Sequence, residues 1–227
     1  VDAPILEDGR VVGVQLRSGE AIRADLTIDA LGRASKARKW LGAWGLGEVP
    51  EHQVGIGLGY ATRIVRPVPG ARDWRCMIVY PDPPGQRRLG YIFPIEGGRW
   101  QVTLAGYHGD HPPTDDAGFA AFARSLPVPE FAAALEGAEV LAPTTRFLYP
   151  KQRRLRFDQV RGLPQGFGIV GDAVCSVDPV FGQGMTLAAR GAHALGLHVA
   201  GGGRGGRPLQ QAVAREVDVA WLLTASE

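Results

Sequence analysis

The segment with the clearest chemical potential is GDAVCSVDPVFGQGMTLAARGA, residues 171 to 192. Asp172 directly follows an apolar run, and a carboxylate at the carboxyl end of a strand can accept hydrogen bonds from the hydroxyl groups of a polyol. Further along, Gly182, Gln183 and Gly184 precede an alanine-rich segment. The first N–H groups of a helix lack internal partners and carry positive dipole charge, which favours an electron-rich group. The segment therefore predicts a polyol acceptor followed by an anion site.

Each part of this segment is weak evidence by itself, because Gly-Asp and Gly-x-Gly more often mark a turn or a helix cap. The combination of apolar strand, Gly-Asp-Ala, Pro179, Gly-Gln-Gly and small-residue helix is more specific. It resembles the second flavin motif of the FAD-dependent monooxygenases related to p-hydroxybenzoate hydroxylase, whose relatives include geranylgeranyl reductases and flavin halogenases. Upstream, ADLTIDALGRAS at 24–35 resembles the other internal motif of that family.

The resemblance implies that FAD is the cofactor. Asp172, after Gly171, would bind its ribityl chain. The isoalloxazine ring would lie against Pro179 and the backbone of Gly182, Gln183, Gly184 and Met185. No catalytic side chain is predicted, because the flavin carries the difficult chemistry and protein groups orient the reactants and exclude water.

Two departures distinguish the chain from a typical hydroxylase of this family. Many such enzymes have Asp-Gly where this sequence has Leu31-Gly32, with Asp29 two places earlier. The family ties that Asp-Gly pair to NAD(P)H as well as to flavin, so this form is nearer the reductase-like branch. The family also opens with a strand, G-x-G-x-x-G and a helix that bind the ADP pyrophosphate. GIGLGYA at 55–61 lacks that spacing, so we expect a preceding N-terminal segment to supply this element.

The elements that would position the two motifs follow from hydrophobic periodicity. A hairpin is predicted from alternating residues at 10–17 and 20–24 around Ser18-Gly19, followed by a buried strand at 26–28 and a helix at 36–44. A second buried strand is predicted at 167–170. The helix after it should bury an apolar stripe made of Met185, Ala188, Ala189, Ala192, Leu195, Gly196 and Val199. A flexible connection at 201–206 and a last helix at 208–223 complete this part.

The middle of the chain, from about Val54 to Tyr149, has the alternation of antiparallel strands. Gly97-Gly98 predicts a tight hairpin, and residues 115–137 predict two short helices separated near Pro127 and Pro129. Alternate aromatic residues of these strands should face the core: Trp74, Tyr80, Tyr91, Phe93, Trp100 and Tyr107. In the family that the chain resembles, the inner face of this sheet lines the substrate pocket.

The predicted fold class is therefore mixed α/β and α+β, a partial p-hydroxybenzoate hydroxylase-like FAD-binding fold with an inserted antiparallel β-sheet. Residues 1–48 and 162–227 would form parts of the FAD-binding domain, and residues 49–161 the β-rich substrate-binding portion. The predicted function is flavin-dependent oxidoreduction, as a monooxygenase or hydroxylase of an apolar or aromatic small molecule, with NAD(P)H or another electron donor. Two alternatives stay open: an FAD-dependent reductase of isoprenoids, and a ligand-binding fragment without activity.

Composition excludes other classes of function. The formal net charge of +2 over 227 residues is too small to indicate nucleic acid, and no apolar run is long enough to span a membrane. Two cysteines, Cys76 and Cys175, without zinc-ligand spacing indicate free thiols in a cytoplasmic protein. The basic cluster of Lys151, Arg153, Arg154 and Arg156 is interpreted as a solvated face.

The remaining candidate residues favour structural roles. Cys175 lies in the flavin-like loop, but a buried filler is the more common role of cysteine. His108 and His111 lack a third metal ligand, so no metal site is predicted. Neither His193 nor His198 is predicted to be a catalytic base. A hydrolase is excluded as well, because the chain has no G-x-S-x-G elbow.

Overall fold

The structure, a computed structural model, describes residues 1–70 and 74–225. The strands over these residues are β1 (Ala3–Glu7), β2 (Arg10–Gln15), β3 (Ala21–Arg23), β4 (Thr27–Asp29), β5 (Glu51–Arg66), β6 (Met77–Val79), β7 (Arg88–Ile95), β8 (Arg99–Gly106), β9 (Glu139–Val140), β10 (Thr145–Leu155), β11 (Phe167–Ile169) and β12 (Cys175–Ser176). The α-helices are α1 (Ala37–Ala43), α2 (Asp116–Arg124), α3 (Pro129–Ala133), α4 (Gly184–Ala200) and α5 (Gly206–Ala225).

The chain divides into two compact units. The first, called here the outer unit, consists of Val1–Val54 and Gln152–Glu227, and the second, the middle unit, is Gly55–Lys151. The boundaries predicted from the sequence for the middle portion lie after residue 48 and before residue 162. Within the described residues, no helix has the length and apolar character needed to cross a membrane.

Two small sheets organise the outer unit. Strands β1, β2 and β3 form an antiparallel sheet in that order, which confirms the hairpin predicted around Ser18-Gly19. The sequence analysis missed β1, a five-residue strand interrupted by Pro4. Because proline cannot donate to a strand ladder, it is found in edge strands, and β1 lies at the edge of its sheet.

The second small sheet is a parallel pair of β4 and β11. Thr27 lies opposite Phe167, and Asp29 opposite Ile169, so both predicted strands are confirmed. Burial is confirmed for β11, whereas Thr27 and Ile28 of β4 are half-buried. Phe167 and Ile169 are fully buried in the core of the unit. The rings of Trp40 and Trp44, on and just after α1, lie edge-on to the Phe167 ring at centroid distances of 6.3 and 5.6 Å.

The middle unit is an antiparallel sheet with helices on one face, as predicted. Strands β10, β5, β8, β7 and β6 are neighbours in that order, and β9 pairs with β5. Strands β7 and β8 form the predicted hairpin around Gly97-Gly98. Helices α2 and α3 are the two predicted short helices. Their phenylalanines Phe119, Phe122 and Phe131 share a core with Ile92, Val102 and Leu104 of the sheet.

The predicted apolar stripe of α4 is wrong. The buried residues of this helix are Leu187, Gly191 and Ala194, whereas Met185 is 86% exposed and Val199 is 46% exposed. Periodicity could not select a side, because a helix that is apolar all round has no unique stripe. Contact with neighbouring elements selects it instead: a Cβ added at Gly191 would lie 3.9 Å from the Gly171 nitrogen and 4.0 Å from the Val213 side chain.

The glycine-rich segment 201–206 is a hydrogen-bonded turn rather than the flexible connection that was predicted. The Gly201 N–H donates to the Leu197 carbonyl, and the Gly203 N–H donates to the His198 carbonyl. The His198 ring nitrogen Nε2 accepts from the Gly205 N–H at 3.1 Å. The His198 ring therefore holds the turn between α4 and α5, a structural role.

Gly166, just before β11, approaches the backbone of β2 closely and generates a prediction. Its φ is +75°, and an added Cβ would lie 1.9 Å from the Val11 carbonyl oxygen. Gly45 has φ of +74° but no atom within 4 Å of such a Cβ, so it is the matched control. We expect Gly45→Ala to lower the free energy of unfolding by about 1–2 kcal/mol, and Gly166→Ala to cost about 1–3 kcal/mol more. Chemical denaturation measures both losses of unfolding free energy. Equal losses for the two variants would contradict the close approach of Gly166 to Val11.

Candidate functional site

The parallel pair β4–β11 brings the two predicted flavin motifs side by side in the outer unit. The Val170 N–H extends the pair by donating to the Asp29 carbonyl at 3.0 Å. Each strand then ends in a 3-10 turn, Gly32–Ala34 after β4 and Gly171–Ala173 after β11. Gly32 has φ of +63°, and a Cβ added there would lie 3.8 Å from the Asp172 Cβ. Segments far apart in sequence thus meet at one sheet edge, where α/β folds collect ligands.

Asp29 fixes the first of these turns. It is 4% exposed, and its Oδ1 accepts from the Leu31 N–H at 3.0 Å. Its Oδ2 accepts from the Ser35 hydroxyl at 2.6 Å. Both carboxylate oxygens are therefore engaged within the protein. Leu31, at the position where many hydroxylases carry a carboxylate, is 57% exposed and offers no polar group.

Asp172, in contrast, is exposed, and among residues 1–70 and 74–225 its carboxylate has no hydrogen-bond or ion-pair partner. Partial removal from water raises the pKa of this carboxyl, and the positive charges of Arg33 and Arg153 oppose that rise. The carboxylate therefore keeps its capacity to accept hydrogen bonds, and its role as a polyol acceptor stays a prediction.

Two arginines beside Asp172 were missed as site residues. Arg33 Nη1 donates to the Ser176 hydroxyl at 2.7 Å, and Arg153 Nη2 donates to the Arg33 carbonyl at 3.0 Å. The pairing of β10 with β12 places Arg153 opposite Ser176. The only sequence signal for Arg153 was the cluster of basic residues at 151–156, which we interpreted as a solvated face.

That interpretation is wrong for the neighbouring Arg154, whose side chain is 6% exposed and pairs with Asp218 on α5. Arg156 binds Asp158 through Nε and Nη2, at 2.9 and 2.7 Å. Alternation along β10 turns Arg154 inward, and a buried cation needs a carboxylate partner. Both basic residues therefore form ion pairs within the outer unit.

The loop between β12 and α4 is held by buried polar groups. Asp178 is 3% exposed; its Oδ1 accepts from the Val180 N–H at 2.9 Å and shapes the 3-10 turn Pro179–Phe181. The Asp178 N–H donates to Gln152 Oε1 at 3.2 Å. Gln152 is fully buried, and its Nε2 donates to the Thr224 carbonyl at 2.6 Å. One glutamine thus ties this loop to α5.

The start of α4 is open. Gly182 ends the preceding turn in the left-handed conformation, with φ of +66°. Gln183 occupies the N-cap without a side-chain cap, and the first turn has no acidic residue. Cβ atoms added at Gly182 or Gly184 would meet nothing within 4 Å. Within the described residues, the first turn of α4 therefore has no side-chain cap and has open space beside Gly182 and Gly184, which an anion site requires.

The structure thus places the seven predicted site residues on three connected elements. Gly171 and Asp172 lie in the turn after β11, beside Gly32 and Arg33. Pro179 begins the turn before α4, and residues 182–185 form the helix entrance. Gly191, further along the same helix, packs near the Gly171 nitrogen. Helix α4 therefore connects the two ends of the predicted site.

The other reactive residue types have structural surroundings. Cys175 is 2% exposed, and burial raises the pKa of its thiol to about 12. In the middle unit, His111 Nε2 lies 2.9 Å from the Gly57 carbonyl oxygen. Within the described part of the chain, no group of three or more His, Cys, Asp or Glu residues could hold a metal ion.

The middle unit has an aromatic face opposite its helices. Ile92 and Val102 face the helices, so the register turns Tyr91, Phe93 and Thr103 to the other side. The rings of Tyr91 and Phe93 are stacked at 6.0 Å. Tyr60, Phe147 and Tyr149 form a second group, with centroids 6.3 and 6.5 Å apart.

The aromatic residues named from the sequence divide between the two faces of this sheet, and Tyr80 is 59% exposed. Tyr91 and Phe93 lie on the open aromatic face, whereas Trp74 and Trp100 pack together in the core at 5.2 Å. Tyr60, Phe147 and Tyr149 were not singled out in the sequence. Their alternation along β5 and β10 is the signal that could have found them.

Solved structures share this fold. The myxobacterial chondrochloren halogenase CndH, a variant of FAD-dependent halogenases, matches 99% of the chain with a TM-score of 0.67 and 17% identity, over 52% of its own length. The 2-methyl-3-hydroxypyridine-5-carboxylic acid oxygenase matches 98% with a TM-score of 0.58 and 20% identity, over 56% of its length. The chain therefore has the fold of FAD-dependent monooxygenases and flavin-dependent halogenases, which confirms the predicted fold class.

One curated relative is similar in sequence. Protein Rv3254 of Mycobacterium tuberculosis (strain ATCC 25618 / H37Rv) is 34% identical over 187 residues, which are 78% of this chain and 39% of that protein. The chain thus spans less than half of this relative and about half of the solved structures. No protein-family model matches the chain.

The burial of Cys175 generates a prediction about thiol reactivity. A thiol with a pKa near 12 is almost wholly protonated at neutral pH, and the thiolate is the nucleophile. We expect Ellman's reagent to modify Cys76, which is exposed, while Cys175 reacts only after denaturation. The variant Cys76→Ser provides the control. Its only thiol is the buried Cys175, so the folded variant should not react. Rapid modification of that variant would show that Cys175 is accessible.

The tie made by Gln152 predicts a stability effect. Gln152→Leu keeps the volume but leaves the Asp178 N–H and the Thr224 carbonyl without this partner. The expected loss is about 1–3 kcal/mol of unfolding free energy, measured by denaturant titration. Gln211→Leu, at an exposed position of α5, is the matched control and should be nearly neutral. Equal losses of unfolding free energy in the two variants would contradict a stabilising role of the Gln152 hydrogen bonds.

Proposed function

We propose that the chain is part of a flavin-dependent oxidoreductase and that residues 1–54 with 152–225 contribute part of an FAD site. The single observation that carries the proposal is the free Asp172 carboxylate at the edge where β4 and β11 end. Elsewhere in this unit, Asp29 and Asp178 are buried and engaged by backbone N–H groups. A carboxylate left free at a ligand-collecting edge is suited to the hydroxyls of a ribityl chain.

The remaining contacts of the proposed site follow from the start of α4. Pro179 and the backbone of Gly182, Gln183, Gly184 and Met185 would lie against the isoalloxazine ring. The absence of side-chain atoms at Gly182 and Gly184 lets a flat ring approach the backbone. The helix dipole would favour an electron-rich edge of that ring. FAD supplies the redox chemistry, and the chain supplies binding and orientation.

The reaction that we propose is monooxygenation of an apolar or aromatic small molecule, with NAD(P)H or another reductant as electron donor. The aromatic face of the middle unit supports an aromatic substrate, because offset and edge-on ring contacts suit planar molecules. Leu31 favours a second candidate, an isoprenoid-type FAD-dependent reductase, because no carboxylate occupies the position that hydroxylases use. Since both cysteines are unpaired, we also propose a reducing, cytoplasmic location.

The ADP portion of FAD would be bound by a segment that precedes Val1 in a longer polypeptide. The chain spans 39% of its curated relative, which leaves room for such a segment. The exposed side of α4, with Met185, Ala188, Ala189 and Ala192, offers it an apolar surface. The third alternative, a fragment without activity, applies to the 227-residue chain alone if it cannot retain FAD.

Flavin binding tests the proposal directly. A polypeptide that includes the preceding segment should copurify with FAD and show the visible absorbance of bound flavin. Asp172→Asn in that polypeptide should weaken FAD binding about tenfold or more, because hydrogen bonds to a charged acceptor are lost. Asp25→Asn, at a fully exposed carboxylate, is the matched control. Lack of FAD binding by the longer polypeptide, or equal affinity in both variants, would refute the proposal.

The melting temperature of the same variant without FAD separates a loss of binding from a loss of folding. The folded state raises the pKa of Asp172, so ionisation of this group opposes folding. Its contribution is therefore favourable below the unfolded pKa and is lost as pH rises through the folded pKa. Without FAD, Asp172→Asn should unfold at the same or a higher temperature than the parent at pH 7. A clear fall in melting temperature would instead indicate a structural role.

A further inference from the structure

We propose that the middle unit contains a second ligand site, which binds a small monocarboxylate with an apolar body through Arg63. The site lies on the helix side of the sheet, opposite the aromatic face. It goes beyond the proposed flavin function and uses none of its residues. The proposal rests on a cavity, on an almost buried cation and on the way in which that cation is partnered.

The cavity has a volume of about 200 Å³. Its walls are mostly aliphatic and aromatic side chains of β5, α2 and the segment after α3, among them Val65, Phe119 and Leu135. A cavity of about 150 Å³ lined by apolar residues is large enough to hold benzene. The space therefore fits one aromatic ring or a short aliphatic chain.

Arg63 gives this apolar cavity a positive charge. The residue is 7% exposed, and its guanidinium carbon lies 4.0 Å from the centroid of the Phe119 ring. Strand alternation accounts for its position: Arg63 lies opposite Val102 and shares the inward side of β5 with Ala61 and Val65. Placing a cation on this side of the sheet is costly unless the cation is paired.

The pairing of Arg63 within the protein is incomplete. Nε and Nη2 both donate to the Thr144 hydroxyl, at 3.1 and 2.8 Å, and Nη2 lies 3.0 Å from Asp116 Oδ1. Nη1 has no hydrogen-bond partner among residues 1–70 and 74–225. Asp116, the carboxylate that pairs with Arg63 among the described residues, has an 86% exposed side chain at the first turn of α2, so water weakens its attraction for Arg63.

These features define the ligand. A carboxylate matches the geometry of the planar guanidinium. It would accept a hydrogen bond from Nη1 of Arg63, which has no partner among the described residues. The apolar walls require an apolar body and disfavour a second charge. Asp116 and the ligand would share the same cation, so the aspartate should compete with binding. Glu136 and Arg124 also line the cavity, and their opposite charges add no net charge to its wall.

Calorimetric titration of the 227-residue chain with benzoate tests this site, and benzamide is the neutral probe of equal shape. Benzoate should bind saturably and more tightly than benzamide. Arg63→Met should weaken benzoate binding about tenfold or more. Asp116→Asn should tighten it about two- to fivefold, because a competing carboxylate is removed. Asp82→Asn, which makes the same charge change away from the cavity, should leave the affinity unchanged.

A second variant keeps the test decisive if Arg63→Met fails to fold. Ala120→Leu retains the arginine and fills the cavity from α2, so it should abolish benzoate binding while circular dichroism stays native. Benzoate binding no tighter than that of benzamide, or unchanged by Ala120→Leu, would overturn the proposal. The titration needs no flavin, so its result and the result for FAD binding are independent of each other.

Discussion

The parallel pairing of β4 with β11 is the interaction on which the candidate flavin site depends. Each strand has three residues, too few to persist alone. The pair persists because β11 is fully buried, with the Phe167 ring edge-on to the rings of Trp40 and Trp44 and with Leu209 against Gly168. Helix packing thus stabilises the register, and the register decides which residues of two distant segments become neighbours.

The polar groups around this pair divide into two kinds. Asp29, Asp178 and Gln152 are buried, and each has hydrogen-bond partners that repay the cost of removing it from water. Asp172 has none among the described residues, although Arg33 and Arg153 act on its charge. The contrast indicates that the buried groups hold the two turns in place, whereas Asp172 is the group that these turns present to a ligand.

The sequence predicted the elements better than it predicted their faces. Apolar runs and turn residues identified β4, β11 and the hairpin at Gly97-Gly98, because strand length and glycine conformation are local properties. The buried side of α4 was wrong, because it depends on a non-local contact of Gly191. Arg33 was missed for the same reason: its neighbour Ser176 is more than a hundred residues away in the chain.

The motif resemblance reached further than periodicity because it encodes such non-local contacts. It assigned residues 24–35 and residues 171–192 to the two internal motifs of one family, and the structure places these segments side by side. It carried no information about the helix side of the middle sheet, where Arg63 lies, since no motif includes that strand.

The outer unit has two features that suit a further segment of chain. In a parallel pair, alternate residues of a strand direct their backbone groups to one neighbour. Thr27 and Asp29 bond to β11, and within the described residues β4 has no other strand partner, so the groups of Ile28 face an open edge. Alanines on the exposed side of α4 bury little area alone but allow a close approach. An added parallel strand followed by a helix would use both features, because the strand would extend the sheet from β4 while the helix packed on a surface of small residues.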